Sequence, residues 1–175
     1  MNLIKPAILA IMLAPAIAIA LPSDRYQKIE VVSNSASLDS KKGISIYSGN
    51  VIMTQGSIRL TGDTITLYND KNNEITRIIA QGKRAFYEEK LEGKRGKAKA
   101  WGNTIKYNVT DHRVDLLQQA ELSQDGDLFK GEAIHYDLAT QRVNATGQPA
   151  GTSAKGRVHM IIQPKPENGK RQAGS

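Results

Sequence analysis

Asp63 and Glu132 are the two carboxylates whose placement invites a catalytic reading. Each follows a glycine at the same position of an internal repeat, and glycan-cleaving enzymes on repetitive β scaffolds use paired acids. The same equivalence argues against that role, because an acid reused at the corner of each unit is a turn or cap residue and not one half of a matched acid and base. His112, His135 and His159 are isolated from one another, and His135 alternates with Ile134 and Tyr136, so its ring should point outward. No metal site is expected from them. The chain holds no Gly-x-Ser-x-Gly elbow, no His-Glu-x-x-His pair and no Gly-x-x-x-x-Gly-Lys phosphate loop. With no cysteine it also lacks disulfides, iron-sulfur ligands and thiol nucleophiles. Asn108-Val109-Thr110 and Asn144-Ala145-Thr146 match the glycosylation pattern, a three-residue match read as accidental. The expectation is a protein that is not an enzyme and carries no cofactor.

The elements that would position any site are set by the repeat. Gly62-Asp63-Thr64-Ile65-Thr66-Leu67, Gly102-Asn103-Thr104-Ile105-Lys106-Tyr107 and Gly131-Glu132-Ala133-Ile134-His135-Tyr136 share one pattern, with a degenerate copy at Ser33-Asn34-Ser35-Ala36-Ser37-Leu38. The starts at 33, 62, 102 and 131 give intervals of 29, 40 and 29, the mark of stacked units. Sliding the chain by 69 residues lays Asn34 on Asn103, Leu38 on Tyr107, Gln55 on Gln124, Gly62 on Gly131 and Ile65 on Ile134 without a gap. The chain therefore reads as two similar halves of two units each, with an insertion in the Lys83 to Ala100 stretch.

Period-two alternation runs from about residue 29 to 163. Ile44-Ser45-Ile46-Tyr47, Val51-Ile52-Met53-Thr54, Ser57-Ile58-Arg59-Leu60, Thr64-Ile65-Thr66-Leu67 and Glu74-Ile75-Thr76-Arg77-Ile78 read as half-buried antiparallel strands. Turn chemistry separates them at Asp39 to Gly43, Ser48-Gly49-Asn50, Gln55-Gly56, Asn69 to Asn73, Gln81-Gly82, Gln124-Asp125-Gly126 and Thr146-Gly147. Leu116 to Leu122 is the best helical candidate, yet the 69-residue shift lays it on Tyr47 to Met53, so the repeat makes it strand. About 14–16 short antiparallel strands in four units are expected, in an all-β, elongated β-jellyroll-like or solenoid body. The repeat glycine is read as a corner with positive φ. Ile58, Leu60, Ile65, Leu67, Ile105, Tyr107, Leu128, Ile134 and Tyr136 would line the inner faces, either as a filled thin sandwich or as a slot that stays partly open. Unlike ends leave open strand edges that invite head-to-tail association with another copy.

Residues 1–20 read as a secretory signal: Lys5, an apolar run from Ala7, and Ala18-Ile19-Ala20 as the cleavage site. The stretch is also long enough to span a bilayer, but Pro15 and its alanine-rich end suit processing. The expected compartment is a bacterial periplasm. Residues 21–163 form the domain, and residues 164–175 read as a disordered basic tail. The net charge is +7, and Lys83 to Lys99 alone holds seven basic and three acidic residues. Such charge outside the cytoplasm suits an anionic partner such as a phosphorylated glycolipid or membrane surface; nucleic acid is not expected there.

Leu38-Asp39, the run Gly49-Asn50-Val51 with Gln55-Gly56 and then Leu60-x-Gly62-Asp63, and Gly82-Lys83-x-Ala85-Phe86-Tyr87 together resemble the OstA-like family of lipopolysaccharide export. The resemblance covers about Leu21 to Gln163 and implies a twisted β-jellyroll, open at both ends, that assembles head to tail. It implies a non-enzymatic periplasmic protein that binds lipopolysaccharide through its lipid A acyl chains. Such a protein would bridge the inner-membrane LptC to the amino-terminal domain of the outer-membrane LptD. A cleavable signal on a lone domain fits the bridging members of the family. On that resemblance the lipid contacts would be Ile29, Val31, Ile44, Ile46, Val51, Met53, Ile58, Leu60, Ile65, Leu67, Phe86, Ile105, Tyr107, Leu116, Leu128, Ile134 and Tyr136. A structural β-filament or envelope scaffold without lipid is the alternative.

Overall fold

A computed structural model describes residues 23–91, 96–148 and 156–164 of the 175-residue chain. The expected signal at 1–20 and the tail after Pro164 lie outside the described residues. After a short 3-10 turn, Ser23–Tyr26, the described chain is antiparallel strand throughout: β1 (Ile29–Val32), β2 (Ser35–Asp39), β3 (Ile44–Gln55), β4 (Ile58–Asn69), β5 (Ile75–Lys90), β6 (Lys97–Asn108), β7 (Arg113–Gln124), β8 (Asp127–Asp137), β9 (Arg142–Thr146) and β10 (His159–Ile161). Leu116 to Leu122 lies inside β7, as the repeat requires. The residues added in the longer repeat interval fall in β5, 16 residues long, and between β5 and β6.

All ten strands belong to one sheet, ordered β1-β3-β4-β5-β6-β7-β8-β10, with β2 added to β3 and β9 to β8. The six long strands from β3 to β8 each pass through a register shift near mid-length. Each shift bends the sheet, so every long strand contributes one half to each of two facing leaves. β1 and β10 flank the first leaf; β2 and β9 flank the second. The short strands expected from the sequence are these half-strands, because Ser48-Gly49-Asn50 and Gln81-Gly82 prove to be bulges within β3 and β5 and not turns. The bend closes one long side of the body. Hairpin turns line the opposite side, which is a mouth between two lips.

The corner has two kinds of backbone. On the odd-numbered long strands it is a bulge with positive φ: Gly49 (83°) and Asn50 (49°) in β3, Arg84 (74°) in β5, Gln118 (61°) and Gln119 (58°) in β7. On the even-numbered strands it is the repeat glycine, and here the positive-φ expectation is corrected: Gly62, Gly102 and Gly131 are not among the left-handed residues. They are glycine because the neighbouring strand comes too close. A Cβ on Gly62 would lie 2.8 Å from the Gln81 carbonyl oxygen, and one on Gly131 would lie 2.7 Å from that of Thr146.

The duplication is written in the backbone more plainly than in the residues. The left-handed positions Gly43, Gly49, Asn50 and Gly56 recur 69 residues later at His112, Gln118, Gln119 and Asp125. At the lips, Asp125-Gly126 closes a two-residue hairpin with both φ positive, the geometry that Asp-Gly favours. Asp39, Asp70 and Asp137 cap the second leaf's turns by accepting backbone N–H groups at 2.7–3.1 Å.

Candidate functional site

Following cross-strand partners along the sheet yields three rows that run its whole length and are apolar at every position but Ser45. In the first leaf the row is Val31, Met53, Leu60, Tyr87, Ala100, Leu122, Phe129, Met160. In the second leaf one row is Ala36, Tyr47, Ile65, Ala80, Ile105, Leu116, Ile134, Ala145. Beside it runs Leu38, Ser45, Leu67, Ile78, Tyr107, Val114, Tyr136, Val143. Direct partners on antiparallel strands share a face, so each row lies on the inner side of its leaf. Seven strand steps of about 4.8 Å make each row roughly 34 Å long.

The rows meet across the interior. The rings of Tyr87 and Tyr107, one from each leaf, stand edge to face with centroids 6.2 Å apart. Mid-length residues of all three rows, among them Met53, Leu60, Ile65, Ile78, Ile105, Leu116 and Ile134, are fully buried. Of the two sequence readings, filled sandwich or open slot, the filled one describes this state. Yet among the described residues the strand ladders join the leaves only through the bend. Parting them at the mouth exchanges side-chain contacts and breaks no strand pairing. Burial of the Tyr87 phenol, next to the Glu89 carboxylate that accepts its hydrogen bond at 2.6 Å, pushes its pKa well above the ordinary tyrosine value.

The rows are uncovered at both ends. Leu38 is 66% exposed at one end and Met160 48% at the other, although both face inward by register. Val32, Ile161 and Ile162 add exposed apolar surface there. The outermost strands β1, β2, β9 and β10 present free backbone edges beside them.

Thirteen of the sequence-derived candidates lie on the inner side: Ile29, Val31, Val51, Met53, Ile58, Leu60, Ile65, Leu67, Ile105, Tyr107, Leu116, Ile134 and Tyr136. Four are placed elsewhere. Ile44 and Ile46 pair with Tyr68 and Thr66 on the outer side of the second leaf, and Ser45 and Tyr47 face in. Phe86 packs on Trp101 outside the first leaf, with centroids 5.3 Å apart; its neighbour Tyr87 is the inward residue. Leu128 pairs with Ser123 and Ile161 on the outer side, while Phe129 faces in. The sequence reading missed Tyr47, Ile78, Tyr87, Val114, Leu122 and Phe129, each of which the 69-residue shift or its cross-strand partner would have supplied.

The polar candidates do not assemble into an active site. Asp63 and Glu132 stand at the corners of β4 and β8, four strand steps or about 19 Å apart, too far for a glycosidase acid pair. Asp63 accepts the Lys83 N–H across the β5 bulge at 3.2 Å, which is a structural cap. His135 points outward as expected and holds Asp115, Nδ1 to Oδ1 at 2.8 Å, an acid also bound by Arg113 and Asn108. That cluster, which sequence reading did not find, ties β6, β7 and β8 together on the outer face.

The chain's residues 30–142 match the family model described as the LptA/(LptD N-terminal domain) LPS transport protein. It is 48% identical over 156 residues to the lipopolysaccharide export system protein LptH of Pseudomonas aeruginosa, covering 87% of this chain and 89% of that one. To LptA of Haemophilus influenzae it is 30% identical, covering 87% of this chain and 86% of the relative. To LptA of Escherichia coli K12 the identity is 29%, with 90% and 82% covered. The crystal structure of LptH, described as the LptA-homologous periplasmic component of the lipopolysaccharide transport device, superposes with a TM-score of 0.72. That superposition covers 82% of this chain and all of that one.

Proposed function

The chain belongs to the family of LptA and LptD amino-terminal-domain lipopolysaccharide transport proteins, and from that premise we propose that it carries lipopolysaccharide across the periplasm without altering it chemically. The observation that carries this reading is the set of three unbroken inward rows, buried at mid-length and uncovered at both ends. An acyl chain of about twelve carbons costs on the order of 10 kcal/mol to hold in water, at about 0.8 kcal/mol per CH2. A lipid with several such chains needs an apolar path along its whole route. Because the described strands of the two leaves are paired only through the bend, acyl chains can replace the interleaf contacts and leave the ladders intact.

The free edges and exposed apolar residues at the ends support assembly by strand addition. β10 of one copy would extend the first leaf of the next at β1, and β9 would extend the second leaf at β2. The same edges would receive LptC at the inner membrane and the amino-terminal domain of LptD at the outer one, with residues 1–20 removed as a signal. One observation favours the scaffold reading without lipid: the interior is already filled.

Photoreactive residues placed in cells decide between them. At inward Tyr107 and Leu116 they should capture lipopolysaccharide, and at outward Thr66 and Lys106 they should not. Capture confined to outward positions would refute the conduit.

A further inference from the structure

The outer face of the first leaf carries a charge cluster that the interior does not use. Arg59, Glu88 and Lys99 are successive partners in one cross-strand row, and Lys90 stands directly opposite Lys97 one step nearer the lip. Like charges directly opposite weaken a sheet, so this pairing is not there for stability. Glu88 is the acid among these four cations: Lys97 Nζ lies 2.6 Å and Lys99 Nζ 3.8 Å from its carboxylate. The Lys97 hydrogen bond first, and then the nearby charges of Lys97, Lys99 and Arg59, hold the Glu88 carboxyl below its usual range.

The two lips of the mouth distribute their charge differently. The second leaf's lip is balanced, with Asp39, Asp70 and Asp137 set in the same turns as Lys42, Lys71 and Arg142. The first leaf's lip is positive at β5 and β6 and negative at the β7–β8 turn, which carries Asp125 and Asp127, so its positive charge is a local patch. Behind it, one same-face position toward the bend, lie the rings of Phe86 and Trp101. Same-face neighbours on a strand are about 7 Å apart, so cations and rings form one continuous patch.

We propose that Arg59, Lys90, Lys97 and Lys99, with Trp101 at their border, bind the phosphorylated saccharide headgroup of the lipid whose acyl chains enter between the leaves. This rests on the conduit reading. A headgroup cannot follow the acyl chains into the apolar interior and must leave through the mouth, where the positive patch attracts its phosphates. Lysine suits that contact, since its ammonium is a compact charge that follows a phosphate without demanding one fixed orientation. The apolar C–H face of a pyranose packs on an aromatic ring, which places the sugar toward Trp101.

Trp101 is the chain's one tryptophan and reports directly on the patch. The full chain is titrated with the phosphorylated oligosaccharide left after complete deacylation of lipopolysaccharide, following fluorescence and heat. A saturable change is expected. It should weaken about tenfold in Lys97→Gln/Lys99→Gln, fade in 1 M salt where the screening length is about 3 Å, and be lost after phosphatase treatment of the saccharide. Both lysines are about half exposed, and circular dichroism checks that the variant is folded. The proposal is overturned if no saturable signal appears, if the double variant binds as well as the parent, or if inorganic phosphate gives an equal response. Inward crosslinkers at Tyr107 separate the two claims. Capture with no saccharide response sinks only the patch, while a saccharide response without capture sinks the conduit and leaves a phosphosaccharide surface.

Discussion

Replacing Gly62 should expose which force shapes the corner, close approach or backbone φ. A Cβ there would sit 2.8 Å from the Gln81 carbonyl oxygen, 2.7 Å from the Thr146 oxygen for Gly131, and 3.1 Å from the Leu117 oxygen for Gly102. An unstrained carbon-to-oxygen contact is about 3.3 Å, so the first two sites must open by roughly half an ångström and the third by less. Overpacking of this kind costs about 1–3 kcal/mol, offset by about 0.4–1 kcal/mol from the lower chain entropy of alanine. Gly62→Ala and Gly131→Ala should therefore each lose about 1–2 kcal/mol. Gly102→Ala should lose less than about 1 kcal/mol. Gly96 supplies the contrast: its φ is +77° and a Cβ added there would meet nothing within 4 Å. Asparagine tolerates the left-handed region, so Gly96→Asn should be milder than Gly96→Ala, whereas at Gly62 asparagine should be no better than alanine. Urea unfolding measures each midpoint, with unchanged slope as the check that only stability moved. If Asn rescues Gly62, or if Gly102→Ala is the worst of the three, the close-approach account fails.

Leu38→Arg and Met160→Arg should block end-to-end assembly by putting charge on the uncovered rows, while shifting monomer stability by no more than about 0.5 kcal/mol; sedimentation and urea melts read the two effects. Tyr87 has a folded pKa above its unfolded one, so its contribution is intact below about pH 10 and is lost as pH rises beyond it. Alkaline unfolding monitored by circular dichroism should begin there and move to higher pH in Tyr87→Phe. Asp63→Asn/Glu132→Gln should leave lipopolysaccharide export unchanged in a complementation assay, and loss of export with a folded protein would revive the catalytic reading. Asp115→Ala should lose about 1–3 kcal/mol, because His135, Arg113 and Asn108 all converge on that buried carboxylate.

The strand class, the stacked units and the 69-residue duplication were legible in the sequence because glycines and alternating isoleucines recur at fixed spacing. Inner faces were read correctly on the even-numbered strands, where the repeat glycine fixes parity for the residues after it: Ile65, Ile105 and Ile134 are all fully buried. They were misread where a segment stood alone. Ile44 and Ile46 alternate cleanly, but β-branched residues favour strands on either face, and alternation cannot say which side is inside. Phe86-Tyr87 and Leu128-Phe129 are adjacent apolar pairs, and only the partners Leu60 and Leu122 show that Tyr87 and Phe129 turn in. The corners hid for a different reason. Gln118 and Gln119 carry no glycine signal, and their left-handed backbone is visible in sequence only through their equivalence to Gly49 and Asn50.

The central claim is that the filled interior is also the path of the acyl chains. Isoleucine methyl groups sit on both faces of the leaves, so labelled methyls test it in one titration with lipopolysaccharide. Ile65, Ile105 and Ile134 lie inside, while Ile46, Ile52 and Ile79 lie outside. Contacts from acyl protons to the inner three, with the outer three unmoved, are the predicted result. Acyl contacts to Ile46, Ile52 or Ile79 with the inner methyls unchanged would contradict it.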